Sequence, residues 1–456
     1  MKDKFNFDAS QHAGSFFWKR PALGRRTFFR HIATAVGGYY LMPSRSWERV
    51  ASASVTPINK ARKVIFILMG GAPSHTDTFD LKVGAWTPQS FNPTQYGDIL
   101  FPQGLMPNIA NQMDSISLVR STRSWAAVHG LSQTWWQIGR NPTQALSKIA
   151  PHIGSVVAIE KRSSDTDKTL PPFVSLNAGG GPGTGYLPPE NAPFYISPNG
   201  NGLPNATNPD GQTRFESRYK LHQGLDSEVI QNSPYGGATE EMVAFDADAR
   251  SLMYNPDVAK IFTFDQTERN RYGNTGFGNA CITARNLLAS NKGTHFVQIS
   301  IGGWDMHQNI YAPNNLPTLA RTFDNGLGTL IADLKAAGTL NDTLIVAMGE
   351  FGRTVGNPNQ ASGRDHFLQQ TVLFAGAGIQ GNKSIGQTDA LGSATIDPGW
   401  SRNRDVRPED VEATIYSALG IDWTTIRRDD PTGRGFDYVP FAAEQDLYGP
   451  IHELWG

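Results

Sequence analysis

The run RKVIFILMGG (62–71) is apolar without alternation and stops at paired glycines. A strand solvated on one face alternates polar and apolar residues, so a continuous run of this length reads as a strand covered on both faces. The same reading applies to DSISLVRST (114–122), PPFVSL (171–176), HFVQISI (295–301), DTLIVAMGEFG (342–352) and QTVLFAGAG (370–378). Between them lie segments with helical periodicity. PTLARTFDNGLGTLIADLKAAG (317–338) closes on a glycine, and RPEDVEATIYSALGI (407–421) carries Pro408 and Glu409 early and Gly420 late, as helix ends prefer. Buried strands alternating with helices specify an α/β fold with a mainly parallel sheet flanked by helices.

The chain has 456 residues, 39% of them hydrophobic, which is enough for a large core. Lys plus Arg number 40 against 41 Asp plus Glu, so no strong field of either sign points to nucleic acid. The single cysteine, Cys281, excludes an internal disulfide and a thiolate metal cluster; in GNACITARNLLAS it reads as a small buried apolar residue. Near the N-terminus, Arg25 and Arg26 precede Phe28 and Phe29 and a modest apolar run, followed by Ala51-Ser52-Ala53. This resembles a twin-arginine export signal with a small-residue cleavage site. It predicts a signal and linker over 1–53, engagement of the twin-arginine translocation machinery, and a periplasmic or secreted protein. The apolar run is too short to cross a bilayer, which takes about 20 residues, and no later stretch qualifies as an integral span. Residues 54–456 are then read as one domain, with a Gly/Pro/Asn-rich insertion near 177–213.

Ligands of α/β sheets gather beyond the carboxyl ends of strands, and the polar clusters of this chain fall there. GGAPSHTDTFD supplies Ser74, His75, Asp77 and Asp80; GGWDMH supplies Asp305 and His307; GEFGRT supplies Glu350 and Arg353; GRDHF supplies Arg364, Asp365 and His366. His129 follows the second run. Carboxylates and imidazoles hold divalent metals such as Zn, Mn, Ca or Fe. The metal candidates are Asp305, His307, Glu350, Asp365, His366, His75 and Asp77. Guanidinium groups match the oxygens of phosphate or sulfate, which makes Arg353 and Arg364 candidates for holding an anion. Taken singly, each fragment has a plainer reading: an Arg–Asp pair pinning the GRDH loop, a local Glu350–Arg353 bridge, or Asp77 shaping a turn.

The ordered set of twin arginines, GGAPSHTDTFDLK, ERNRYG, GGWDMHQN, GEFGRTVGNPNQASGRDH and FAGAGI resembles a bacterial exported family of unknown function grouped with the alkaline phosphatase and sulfatase superfamily. The resemblance implies a three-layer α/β/α sandwich, one or two metal ions, and hydrolysis of a small anionic phosphate or sulfate ester. It places Asp305 and His307 at the superfamily's later Asp-plus-His pair, Glu350 where Asp-His-Gly is usual, and His366 at the final histidine ligand. Phe351 departs from that pattern, as does Met69-Gly70-Gly71 where an acidic ligand is usual. HGLSQTWWQIGRNP keeps the superfamily's Gly-x-x-Pro ending at Gly139 and Pro142, and puts His129 at the nucleophile position. His129 is thus a phosphoryl acceptor, a ligand or a general base. The expectation is an exported metal-dependent ester hydrolase; the alternative is a binding or assembly protein on the same fold whose site has drifted.

Overall fold

Among the described residues, seven strands run one way through the central sheet and one runs against them. The computed structural model describes residues 55–456 apart from 144–147, 232–236 and 432. The expected export signal and its cleavage site lie outside the described residues. The sheet strands are β1 (Lys63–Met69), β2 (Ile116–Arg123), β3 (Phe173–Leu176), β4 (Phe194–Ile196), β5 (Phe296–Ile301), β6 (Thr343–Met348), β7 (Gln369–Gly376) and β8 (Lys383–Ile385). Their spatial order is β8-β2-β7-β6-β1-β5-β3-β4. β7 pairs antiparallel with both β2 and β6; the pairs β1–β5, β1–β6, β3–β5, β3–β4 and β2–β8 are parallel.

Successive side chains of β1 enter two different apolar cores. Ile65, Ile67 and Met69 pack on one face of the sheet and Val64, Phe66 and Leu68 on the other. The first core is covered by helices over Gly276–Ser290 and Leu316–Ala336; the second by α1 (His129–Ile138), α2 (Ile153–Arg162) and α3 (Pro408–Ala418). This gives the three layers and explains the unbroken hydrophobicity of the strand, since both faces are buried. Cys281 sits in the first core, where burial pushes its thiol pKa up.

Two segments differ from the sequence reading. The Gly/Pro/Asn-rich stretch contributes β4, which extends the sheet beside β3. A helix over Gln212–Gln231 follows it, where no periodicity marked one. The ERNRYG motif serves packing: Arg271 and Arg285 each bridge Asp333 at 2.5 Å, Arg285 also bridges Glu268, and Tyr272 donates its hydroxyl to Asp333. This network ties three helices together. No helix of the described residues is long and apolar enough to cross a membrane.

Candidate metal centre

One edge of the sheet collects the polar loops. β2, β5 and β6 end there, and they are followed by His129, by Asp305 and His307, and by Glu350 respectively. β7 runs in the opposite direction, so its beginning lies at this same edge and brings His366 with it. Ligand atoms from His129, Asp305, His307 and His366 lie within 4.8 Å of one another.

Local structure holds these side chains in place. After β5 the side chains alternate: Trp304 and Met306 are buried, while Asp305 and His307 face outward. Trp304 packs edge-on against Phe323, so its role is to anchor the loop. Two glycines permit the backbone contacts. Gly71 has φ +101°, and a Cβ there would stand 2.5 Å from Asp305 N; a Cβ on Gly363 would stand 1.9 Å from the His307 carbonyl carbon. Arg353 and His366 face each other across a two-residue antiparallel ribbon.

Each imidazole is oriented through its Nδ1. His129 Nδ1 is 2.6 Å from Glu350 Oε1, His307 Nδ1 is 2.8 Å from Asp365 Oδ1, and His366 Nδ1 is 2.9 Å from the Ala127 carbonyl. All three partners are acceptors, so each Nδ1 donates and each Nε2 is left to face the centre. There the Nε2 atoms of His307, His129 and His366 lie 2.9, 3.3 and 3.7 Å from Asp305 Oδ1. The Nε2 atoms of His307 and His366 are 3.2 Å apart. His129 Nε2 is buried without a hydrogen-bond partner. Neutral rings so arranged aim three lone pairs and a carboxylate oxygen at one another, which requires a shared positive charge. Arg353 supplies part of it, donating from Nη2 to Asp305 Oδ1 at 2.5 Å and from Nη1 toward His307 Nε2 at 3.3 Å. Burial works against the Asp305 charge, but the hydrogen bond and charge of Arg353 lead the opposing contributions and hold its pKa below the ordinary value.

The remaining sequence candidates lie around this centre or away from it. Glu350 has no exposed surface and reaches the centre through His129; Asp365 reaches it through His307. Arg353 also donates to the carbonyls of Gly71, Ala72 and Arg364, so its fork points into the protein. Arg364 is fully buried: it clasps Asp77 at 2.6 and 3.2 Å and donates to Thr354 O, Gly356 O and Tyr311 Oη. Asp77 also accepts from Ser74 Oγ and Tyr311 Oη. Neither residue belongs to the cluster. His75 is buried, bonds the Gly392 carbonyl through Nε2, and is held below its ordinary pKa by burial. Sequence reasoning passed over Gln133, which donates to Glu350 Oε1 at 2.9 Å. Its signal was available, since Gln133 lies one turn after His129 and therefore on the same helix face. Beside Asp305 and His307 opens a cleft of about 500 Å³ lined by Gln308, Asn314, Asn315 and Thr318.

Residues 61–436 match the family described as protein of unknown function, DUF1501. The chain belongs to this family. No curated protein matches it by sequence. Among solved structures it is similar, at the level of the chain trace, to the lipoteichoic acid synthase LtaP from Listeria monocytogenes (12% identity, 85% of this chain and 79% of that one, TM-score 0.36). It is similar also to the sulfatase PsFucS1 from Pseudoalteromonas sp. (14%, 80% and 68%, TM-score 0.38) and to a protein in the alkaline phosphatase superfamily from Vibrio parahaemolyticus (10%, 81% and 70%, TM-score 0.35). At these scores the DUF1501 chain takes no chemistry from them.

Proposed function

We propose that this DUF1501 protein is an exported metal-dependent hydrolase of small phosphate or sulfate esters, related to the alkaline phosphatase and sulfatase superfamily. The observation that carries the reading is the convergence of His129, Asp305, His307 and His366 on one space at the strand ends. The donor set fits a divalent ion: the buried Nε2 of His129 lacks a partner, and the facing Nε2 atoms of His307 and His366 require a cation or a proton between them. Three imidazoles with one carboxylate suit zinc, iron or manganese and disfavour calcium, which takes oxygen ligands. When bound, such an ion polarises an ester oxygen and lowers the pKa of a water. The protein's own groups hold and orient: Glu350, Asp365 and the Ala127 carbonyl set the three rings, and Arg353 balances the Asp305 charge. The cleft beside Asp305 and His307 gives a small anionic ester a place next to the centre. Twin-arginine export to the periplasm or beyond belongs to the same proposal and rests on Arg25-Arg26 and the residues after them.

The inward-pointing guanidinium groups favour a second reading, a binding or assembly protein whose site has drifted from catalysis. Arg353 and Arg364 are buried with their donors engaged by the protein, so neither is free to clamp an oxyanion. Metal analysis of the purified full chain, paired with a panel of phosphate monoesters, phosphate diesters and sulfate esters, separates the two. Bound metal with ester cleavage that Asp305→Ala and His366→Ala abolish supports the hydrolase. Bound metal with no turnover of any ester supports the second reading, and a folded chain that takes up no metal overturns the metal centre itself.

A further inference from the structure

Glu350 receives more hydrogen bonds than any neighbour of the metal centre described above. Its Oε1 accepts from Gly71 N–H at 2.9 Å, Gln133 Nε2 at 2.9 Å and His129 Nδ1 at 2.6 Å, and its Oε2 accepts from Ala72 N–H at 3.1 Å. Its backbone carbonyl accepts from Ser124 Oγ, Ser132 Oγ and Trp136 Nε1 at 2.7, 2.7 and 2.9 Å. Three segments therefore grip one residue: the turn after β1, the start of the loop after β2, and α1. Both oxygens of this carboxyl group are already taken as acceptors, by two backbone N–H groups and an amide N–H, so it meets the His129 ring as an acceptor. His129 Nδ1 must then carry the proton. With Nδ1 committed, the bare lone pair of the neutral ring is on Nε2, the atom that lies buried and unpartnered beside Asp305. The ring is further confined by Phe351, 4.8 Å away, and by His366, which meets it edge-on at 4.5 Å.

We propose that Glu350 is a positioning residue: it acts on the metal centre only through His129, fixing which nitrogen is bare and where that nitrogen points, while Gln133 and the Gly71–Ala72 turn hold Glu350 itself. This rests on the metal-centre reading and assigns Glu350 a role behind the ligands, although its spacing in the sequence equally suits a ligand. Glutamine at this position serves in part: its amide oxygen can occupy the Oε1 site and accept from His129, but its NH2 then meets the Ala72 N–H, donor against donor. Methionine, of similar size and without an acceptor, does not.

The test uses the full chain with zinc alone as the probe. Zinc affinity is measured by competition with a chelator for the wild type, Glu350→Met and Glu350→Gln, and histidine-selective ¹⁵N spectra identify the protonated and the zinc-bound nitrogen of His129. Loss of a partner behind a ligand weakens metal binding by about 10- to 100-fold, and that loss is expected for Glu350→Met, with Glu350→Gln recovering part of it. The wild type and Glu350→Gln should both show Nδ1–H and zinc on Nε2. Zinc on Nδ1 of His129 overturns the proposal, as does unchanged affinity in Glu350→Met, or a Glu350→Gln variant as weak as Glu350→Met. If Glu350→Met does not fold, the spectra of the other two proteins decide. A wild type that binds no zinc overturns the metal centre as well, whereas normal zinc binding in Glu350→Met overturns this inference alone.

Discussion

Arg364, Asp365 and His366 are consecutive, yet they serve two regions of opposite character. Arg364 turns into a knot with Asp77, Ser74 and Tyr311 in which every guanidinium nitrogen has an acceptor or hydroxyl partner within the protein. Asp365 and His366 turn to the metal centre, where the Asp305 side chain is 46% exposed and His129 Nε2 has no partner. Both regions set an aspartate against an arginine at the same sheet edge, Asp77 with Arg364 and Asp305 with Arg353. Residue type therefore does not separate structure from chemistry here; closure of the hydrogen bonds does. A knot whose donors are all answered has no capacity for a ligand, whereas a cluster whose lone pairs face one another is complete only with a cation.

Breaking the knot should have the largest effect, and a metal should not rescue it. Asp77→Ala leaves the buried Arg364 charge without its carboxylate, and uncompensated buried charges cost about 3–5 kcal/mol. Urea denaturation should show that loss equally with and without zinc. Recovery of stability on adding zinc would join the two regions and end the distinction.

Breaking the centre should do the reverse. His366→Ala removes a partly exposed ring, so the metal-free chain should change little in stability. What disappears is the stabilisation by zinc, about 2.7 kcal/mol for a native-state ligand at a hundred times its Kd. Thermal melts of the wild type and the variant across a zinc titration read this directly. An equal zinc shift in both proteins would mean that the metal sits elsewhere.

The strand-end rule singled out both regions without telling them apart, and the reason is physical. Apolar continuity marks a strand, and the loop after it is then a place where polar groups gather, so Asp77, Asp305, Glu350 and His366 all stood out together. Whether a carboxylate at such a place is enclosed depends on partners far away in sequence: Asp77 meets Arg364 and Tyr311, and Glu350 meets Gly71, Gln133 and His129. The reversal of β7, which carries His366 to the ligand edge, is likewise set by pairing with β2 and β6 and leaves no mark in QTVLFAGAG itself. The helix over Gln212–Gln231 escaped notice because its sequence, rich in charged and polar residues, has little apolar periodicity to betray it.

Acid should distinguish the regions more gently. The folded pKa of Asp305 lies below its unfolded value of 3.8. Its contribution to stability is therefore present above that unfolded value and is lost as pH falls through the folded one. Without metal, Asp305→Asn should flatten the acid limb of the stability curve below about pH 4, measured by denaturant titrations at successive pH values. Because the side chain is half exposed, solvent screens the effect. A steeper acid limb in the variant would reverse the sign of the Arg353–Asp305 interaction.

The smallest effect is expected at Asp365, and it sharpens the comparison within the centre itself. Asp365 does for His307 what Glu350 does for His129: a carboxylate oxygen accepts from Nδ1. The hydrogen bond from His307 holds the Asp365 pKa below its ordinary value, with help from Asn359. Yet Asp365 is exposed, and water can replace it as the acceptor at His307 Nδ1, whereas no water reaches Glu350. Asp365→Asn should leave folding stability within about 0.5 kcal/mol, and it should weaken zinc less than Glu350→Met does. Chelator competition on the two variants side by side tests the ranking. If Asp365→Asn proves the more damaging, then burial of the supporting carboxylate is not what governs the strength of this centre, and the hold of Asp365 and Asn359 on the His307 loop takes that place.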